Sequence, residues 1–227
     1  MRLTSRCVQV VRDIALSHTM SRDQIVKLGY FTSVTRANTR LRELGAEGFV
    51  VRIKTPFFGQ SLYMAGPNAA NIVGERIIPL LAGRASSPRF IQHALSVTNT
   101  RITLNDLGGS DWRFEQQLWR KFEYEGRTYE VRPDGLSHLP KGPMVVEVDL
   151  GHVAPAKFKE KLNAYNAFLT SGACKHLWDL SEFAVLTVTI GDLRASRLQR
   201  QTPHDARFQH ICKTFKALNI PTVGGWS

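Results

Sequence analysis

The chain is short of acid. It holds 19 Asp and Glu against 30 Lys and Arg, a net charge of +11 and a pI of about 10.0. Such an excess attracts polyanions, of which nucleic acid is the commonest; the plainer reading is a basic surface kept for solubility. Cysteine is scarce too. Cys7, Cys174 and Cys212 lie far apart and form no CxxC pair, which argues against a zinc ribbon and suits reduced thiols in a cytosol. His138, His152, His176, His204 and His210 are scattered, with no Cys or Glu at metal-helix spacing. Long apolar runs are missing. The longest, FAVLTVTI at 183–190, is far too short for a membrane-spanning helix, and MRLTSRCVQV at the start has no secretory apolar core. No glycine-rich phosphate loop is present, so no nucleotide cofactor is expected. These absences point to a cytoplasmic protein with no membrane partner.

What is present suffices for a core. At roughly 100–200 residues per domain, 227 residues with 43% hydrophobic content make one large domain or two small ones. NAANIVGERIIPLLAG (68–83) reads as a linker helix, and ASSPR (85–89) is the best break. The expected domains are therefore 1–84 and 85–227. Residues 1–67 alone carry ten Lys/Arg against four acids. Three helical patterns come first. Val8, Val11, Ile14 and Ala15 form one stripe. Ile25, Val26 and Leu28 form a second, opened by Ser21. In the third, Ser33 is the cap and Val34, Ala37, Leu41 and Leu44 face a core. FVVRIKTPFFGQSLYMAGP then reads as strand, turn, strand. Three helices and a hairpin are the order of a winged helix-turn-helix, whose last helix enters the major groove of duplex DNA. Its polar side carries Thr35, Arg36, Asn38, Thr39, Arg40 and Arg42, types that contact phosphates and base edges; Arg52 and Lys54 on the wing would meet phosphate. The alternatives are a solvated basic face and a winged helix that docks a protein.

In the second half, FIQHALSVTNTRITL reads as a helix. SDWRFEQQLWRKF (110–122) reads as another, with Glu115 among Trp112, Trp119 and Phe122. YEVR (129–132) and MVVEVDL (144–150) read as an antiparallel hairpin joined by a turn through GLSHLPKGP. On the second strand Val145, Glu147 and Asp149 share one face, and Val146, Val148 and Leu150 the other. Two like charges that close need a cation or a proton between them. With Asp134 they form a set of oxygen ligands suited to Mg²⁺ or Mn²⁺. PAKFKEKLNAYNAFLTSG (155–172) is a helix with Phe158, Leu162, Tyr165 and Leu169 buried and Lys157 and Lys161 on the next stripe. FAVLTVTI follows, so 144–150 and 183–190 should be parallel. After residue 190, Arg194, Arg197 and Lys213 either extend a DNA surface or solvate an outer helix.

The hairpin with PD, the strand with E-x-D, the helix and the crossover resemble the PD-(D/E)XK nuclease fold. More narrowly, RPDG at 132–135, EVDLG at 147–151, the helix lysines with Tyr165, and Glu115 resemble the replication-relaxation family of plasmids and other mobile elements. The resemblance implies an α+β protein: an N-terminal winged helix-turn-helix, then an α/β nuclease-like domain with a mixed sheet. It implies that Asp134 and Glu147 hold one or two Mg²⁺ ions, with help from Glu115. Relaxases, replication proteins and a second copy of the chain are the partners it suggests. Where such nucleases carry a lysine two residues after the second acid, this chain has Asp149. Either Lys157 or, better, Lys161 supplies the lysine from the helix and the domain cleaves DNA, or the domain binds DNA and cuts nothing.

Overall fold

The computed structural model describes residues 3–53, 58–59, 61–74 and 87–223. They form two compact units: residues 3–102 with 222–223, and residues 103–221. The protein is α+β with a mixed sheet.

In the first unit, α1 (Ser5–Leu16) starts at the Thr4 cap, whose hydroxyl accepts the Cys7 N–H. After β1 (Met20–Ser21), Ser21 and Gln24 exchange hydrogen bonds as a capping box for α2 (Arg22–Lys27). The Ser33 hydroxyl caps α3 (Val34–Ala46). Strands β2 (Val50–Ile53) and β3 (Leu62–Ala65) pair antiparallel, and β1 joins β3 on its other edge. A short helix, α4 (Ala70–Val73), follows. Ile14, Ile25, Ala37, Leu41, Leu44 and Val50 share one core. The expected stripes hold with two corrections: Val34 is 43% exposed, because it opens α3 directly after its cap and projects beyond the packed face, and Val8 is only half-buried, the core being filled there by Cys7 and Val10. Lys54 and residues 75–86, which include the end of the expected linker helix, lie outside the described residues. Helix α5 (Pro88–Asp106) begins within the expected break at 85–89, and its residues up to Ile102 belong to the first unit. There the Gln24 amide donates to Leu95 O and Asn99 Oδ1, each at 2.8 Å.

The second unit departs more from expectation. Residues 110–122 are not one helix. They are β4 (Ser110–Phe114), a single turn α6 (Glu115–Leu118) and the start of β5 (Arg120–Tyr124). YEVR does not pair with MVVEVDL either. It ends β6 (Arg127–Val131), which pairs with β5 across the turn Glu125–Gly126, where both residues have positive φ. That conformation belongs to a two-residue hairpin turn. The partner of the acidic strand is β7 (Gly135–Leu139), whose sequence GLSHL reads as turn; it hairpins into β8 (Gly142–Asp149). The physical reason is tertiary. β4 borders β7, and the Trp112 ring lies so close to Gly135 that a Cβ there would overlap it.

The crossover is as expected. β8 leads through α7 (Pro155–Thr170) to β9 (Ala184–Thr189), and the two strands are parallel. The short helix α8 (Ala173–Trp178) lies between them in sequence. Beyond β9, α9 (Asp192–Gln199) returns the chain to β10 (His210–Thr214), parallel to β9 and unforeseen from the sequence. The sheet order is β10-β9-β8-β7-β4. Phe158, Leu162, Tyr165 and Phe168 of α7 pack with Val145 and Val185. The strand face that bears Glu147 and Asp149 is therefore the face that α7 covers, and Val146 and Val148 opposite are buried as well.

Candidate functional site

The site is built around the middle of β8. Glu147 is 3% exposed. Lys161 and Tyr165, four apart and so on one face of α7, reach it together. The Lys161 ammonium pairs with Oε2, and the Tyr165 hydroxyl donates to Oε1. Asp134 precedes β7. Its N–H donates to Val146 O at 3.1 Å, and its Oδ2 accepts the Val148 N–H at 2.7 Å. The side chain thus stands in for a strand carbonyl where β7 has not yet begun, and its charge acts on both Glu147 and Lys161.

Burial pushes the Glu147 carboxyl up to about 7; Lys161 opposes the shift and Asp134 adds to it. Burial alone would lower the Lys161 pKa, but Glu147, Asp134 and Glu115 outweigh it and hold the ammonium above the usual lysine value. Tyr165 is raised well above its ordinary value by burial and then by Glu147, so its hydroxyl keeps its proton to donate.

The other expected acids lie apart from this pair. Asp149, also 3% exposed, is held by the Thr189 hydroxyl at 2.7 Å and by Arg194 through Nε at 2.7 Å and Nη2 at 2.8 Å. Arg194 Nη2 also donates to Val153 O at 2.5 Å. Glu115 opens α6 and pairs with Arg132. Lys157 is exposed. Arg194, read from sequence as surface charge, was the residue missed; its only signal was a position just after the parallel strand beside β8. His210 was missed likewise. Its ring lies between the hydroxyls of Thr187 at 3.0 Å and Thr202 at 2.7 Å, and burial pushes its pKa down to about 4.

Among the described residues, no three His, Cys, Asp or Glu side chains gather as a metal site. Asp134 and Glu147 remain as two oxygen donors. Mg²⁺ commonly takes one or two carboxylates and keeps several waters, which matches the donor type and number of this pair; both Glu147 oxygens and Asp134 Oδ2 already accept hydrogen bonds, and Asp149 is taken by Arg194.

In the first unit, Thr35, Arg36, Asn38, Thr39 and Arg42 are exposed along α3. Arg40 is half-buried and paired with Glu43 at 2.6 Å. Arg52 is exposed, with Nη2 donating to Ser61 Oγ at 3.0 Å. A cleft of about 700 Å³ opens between the start of α1 and α3, lined by Arg6, Gln9, Thr35, Arg36, Thr39 and Arg40 among others.

Fold and site together define an α+β protein of two units: small helices with a three-stranded sheet, then a mixed sheet with a buried carboxylate that a lysine and a tyrosine of the crossover helix meet. The replication-relaxation family matches residues 11–178 of the 227, and the chain belongs to that family. No curated protein matches the sequence. A solved structure similar to the chain, protein VC1899 from Vibrio cholerae, is 10% identical over 93% of this chain, with a TM-score of 0.33, a score too low to decide anything about the fold. The chain spans 54% of that protein's length. No described helix is long and apolar enough to cross a membrane.

Proposed function

We propose that this is a duplex-DNA-binding protein of plasmid or mobile-element replication whose second unit is a restriction-endonuclease-like domain that nicks or cleaves DNA. Family membership supports the setting. The first unit works as a winged helix, with α3 in the major groove and Arg52 on a phosphate. The net charge of +11 and the exposed polar side of α3 support that role.

The observation that carries the cleavage reading is the meeting of Lys161 with Glu147. The lysine absent from the strand arrives from α7, four residues before the tyrosine that holds the same carboxylate. Asp134 and Glu147 would hold Mg²⁺ or Mn²⁺, which when bound polarises a phosphate and makes its water more acidic. Lys161 holds a proton firmly at Nζ and offers positive charge to a phosphate that gains negative charge in the transition state. Tyr165 fixes the orientation of Glu147. Glu115 and Arg132 border the cluster through their own pair.

One observation favours a second reading. Both Glu147 oxygens already have donors, so Lys161 can serve as an internal counter-cation in place of a metal. The domain would then hold DNA without cutting it, as a regulator or a relaxosome accessory protein. Supercoiled plasmid with Mg²⁺ or Mn²⁺ separates the two. On the cleavage reading, nicked and linear forms accumulate and are lost in Asp134→Ala/Glu147→Ala. Intact plasmid under every metal condition, with a clear gel shift, would establish the second reading. In either case duplex affinity should fall steeply with salt through counterion release, and a shallow slope would remove the DNA role.

A further inference from the structure

Beside the carboxylate–lysine cluster stands an exposed indole. Trp119 follows the last residue of α6, four residues after Glu115, and is 47% exposed. Both polar groups of its backbone are hydrogen-bonded. Its N–H donates to Glu115 O at 2.8 Å, its carbonyl accepts from Arg120 Nη1 at 2.7 Å, and the neighbouring Leu118 is fully buried. The Leu118 carbonyl in turn accepts the Trp178 indole N–H at 2.9 Å. Burial of Leu118 would be served by any residue at 119, so the large ring is not explained by the core. The Arg132 guanidinium lies over it, 5.3 Å from the ring centre, and is itself held by Glu115. Arg132 is two residues before Asp134, and the charge of Glu115 acts on Lys161.

From this juxtaposition of an exposed indole, a stacked arginine and the acid–lysine cluster, we infer that Trp119 and Arg132 form a stacking platform for an unpaired DNA base at the rim of the site. The substrate class is then single-stranded or locally melted DNA, with the base on the indole and the following phosphate toward Arg132. The inference rests on the second unit handling DNA, as proposed above. Every nucleobase has a flat π-face, so an aromatic ring beside a cation recognises a strand without reading its sequence. A paired base cannot offer that face, which separates this platform from the duplex surface of α3.

The test is a titration of the full chain with a (dT) oligonucleotide and with a duplex fragment, read by tryptophan fluorescence and by gel shift. Expected is quenching by the oligonucleotide. Trp119→Ala should bind it roughly fivefold to a hundredfold more weakly, the range of one lost base stack, while binding duplex as before. Trp119→Phe should keep most of the affinity and lose the quenching, a pattern that a merely structural tryptophan would not produce. Equal thermal melting of the variants confirms that each is folded. Unchanged single-strand affinity in Trp119→Ala overturns the platform. Duplex binding with no single-strand binding by the unaltered protein overturns the platform alone and leaves the proposed function standing. Binding of neither DNA overturns both.

Discussion

Two carboxylates on one strand face meet opposite fates. Glu147 in the middle of β8 and Asp149 at its end are two residues apart and equally buried, at 3% exposure each. Glu147 is met by an ammonium and a phenol from α7; Asp149 is gripped by the two-pronged guanidinium of Arg194 and by Thr189. Arginine presents a rigid planar fork that matches a carboxylate, whereas lysine presents a point charge on a flexible stem. The fork locks its partner in place. The ammonium leaves its partner able to share a cation or a proton. Position in the sequence would rank Asp149 with the reactive acids, yet its partner makes it a structural anchor for the turn that leads into α7.

The contrast can be broken at either end. The largest effect is expected from Arg194→Ala, which strands Asp149 in a buried place. Loss of one member of such a pair costs about 3–5 kcal/mol, to be read as a lower denaturant midpoint. A change under 1 kcal/mol would show that Asp149 is not an anchor. The next effect is one of pH. Glu147 titrates near 7 when folded, above its ordinary value of 4.5, so the folded state holds that proton more tightly. Its contribution is complete below pH 4.5 and is lost as pH rises through 7, a decline of about 3 kcal/mol at most. Glu147→Gln should flatten stability across that window; an unchanged slope would place the titration elsewhere.

Lys161→Ala should destabilise by less, about 2 kcal/mol, because the Lys161 side chain is 32% exposed against 19% for Arg194 and water already screens part of the pair. If Lys161→Ala proves the more damaging of the two, Glu147 rather than Asp149 is the anchor. Smallest is Arg194→Lys, which keeps the charge and loses the fork. About 1 kcal/mol is expected from the missing hydrogen bond, and chemical denaturation of the two proteins side by side would measure it.

Much of this was legible in the residues. Helices α1, α2, α3 and α7 follow from spacing and caps, and the parallel β8–β9 pair from the crossover. The stripe beside the buried one held both Lys157 and Lys161; the expectation that Lys161 meets the acids came from the resemblance, and Lys161 does pair with Glu147. Residues 110–122 misled because Trp112, Trp119 and Phe122 suit a helix stripe, while the contact that decides the matter, Trp112 on Gly135, is made across the sheet. The Glu125–Gly126 turn was a readable hairpin signal that the helix reading concealed. Arg194 had no signal but its place just after the second parallel strand, because its partner Asp149 lies 45 residues earlier in the chain.

Asp134 completes a ladder that its own strand has not yet entered, by accepting the Val148 N–H. An asparagine there would retain the accepting oxygen and shed only the charge. On the proposed function, strand pairing and chemistry would use different attributes of this one side chain, its shape and its ionisation. If the second unit cleaves DNA as proposed, loss of that one charge would turn a cutter of DNA into a holder of it.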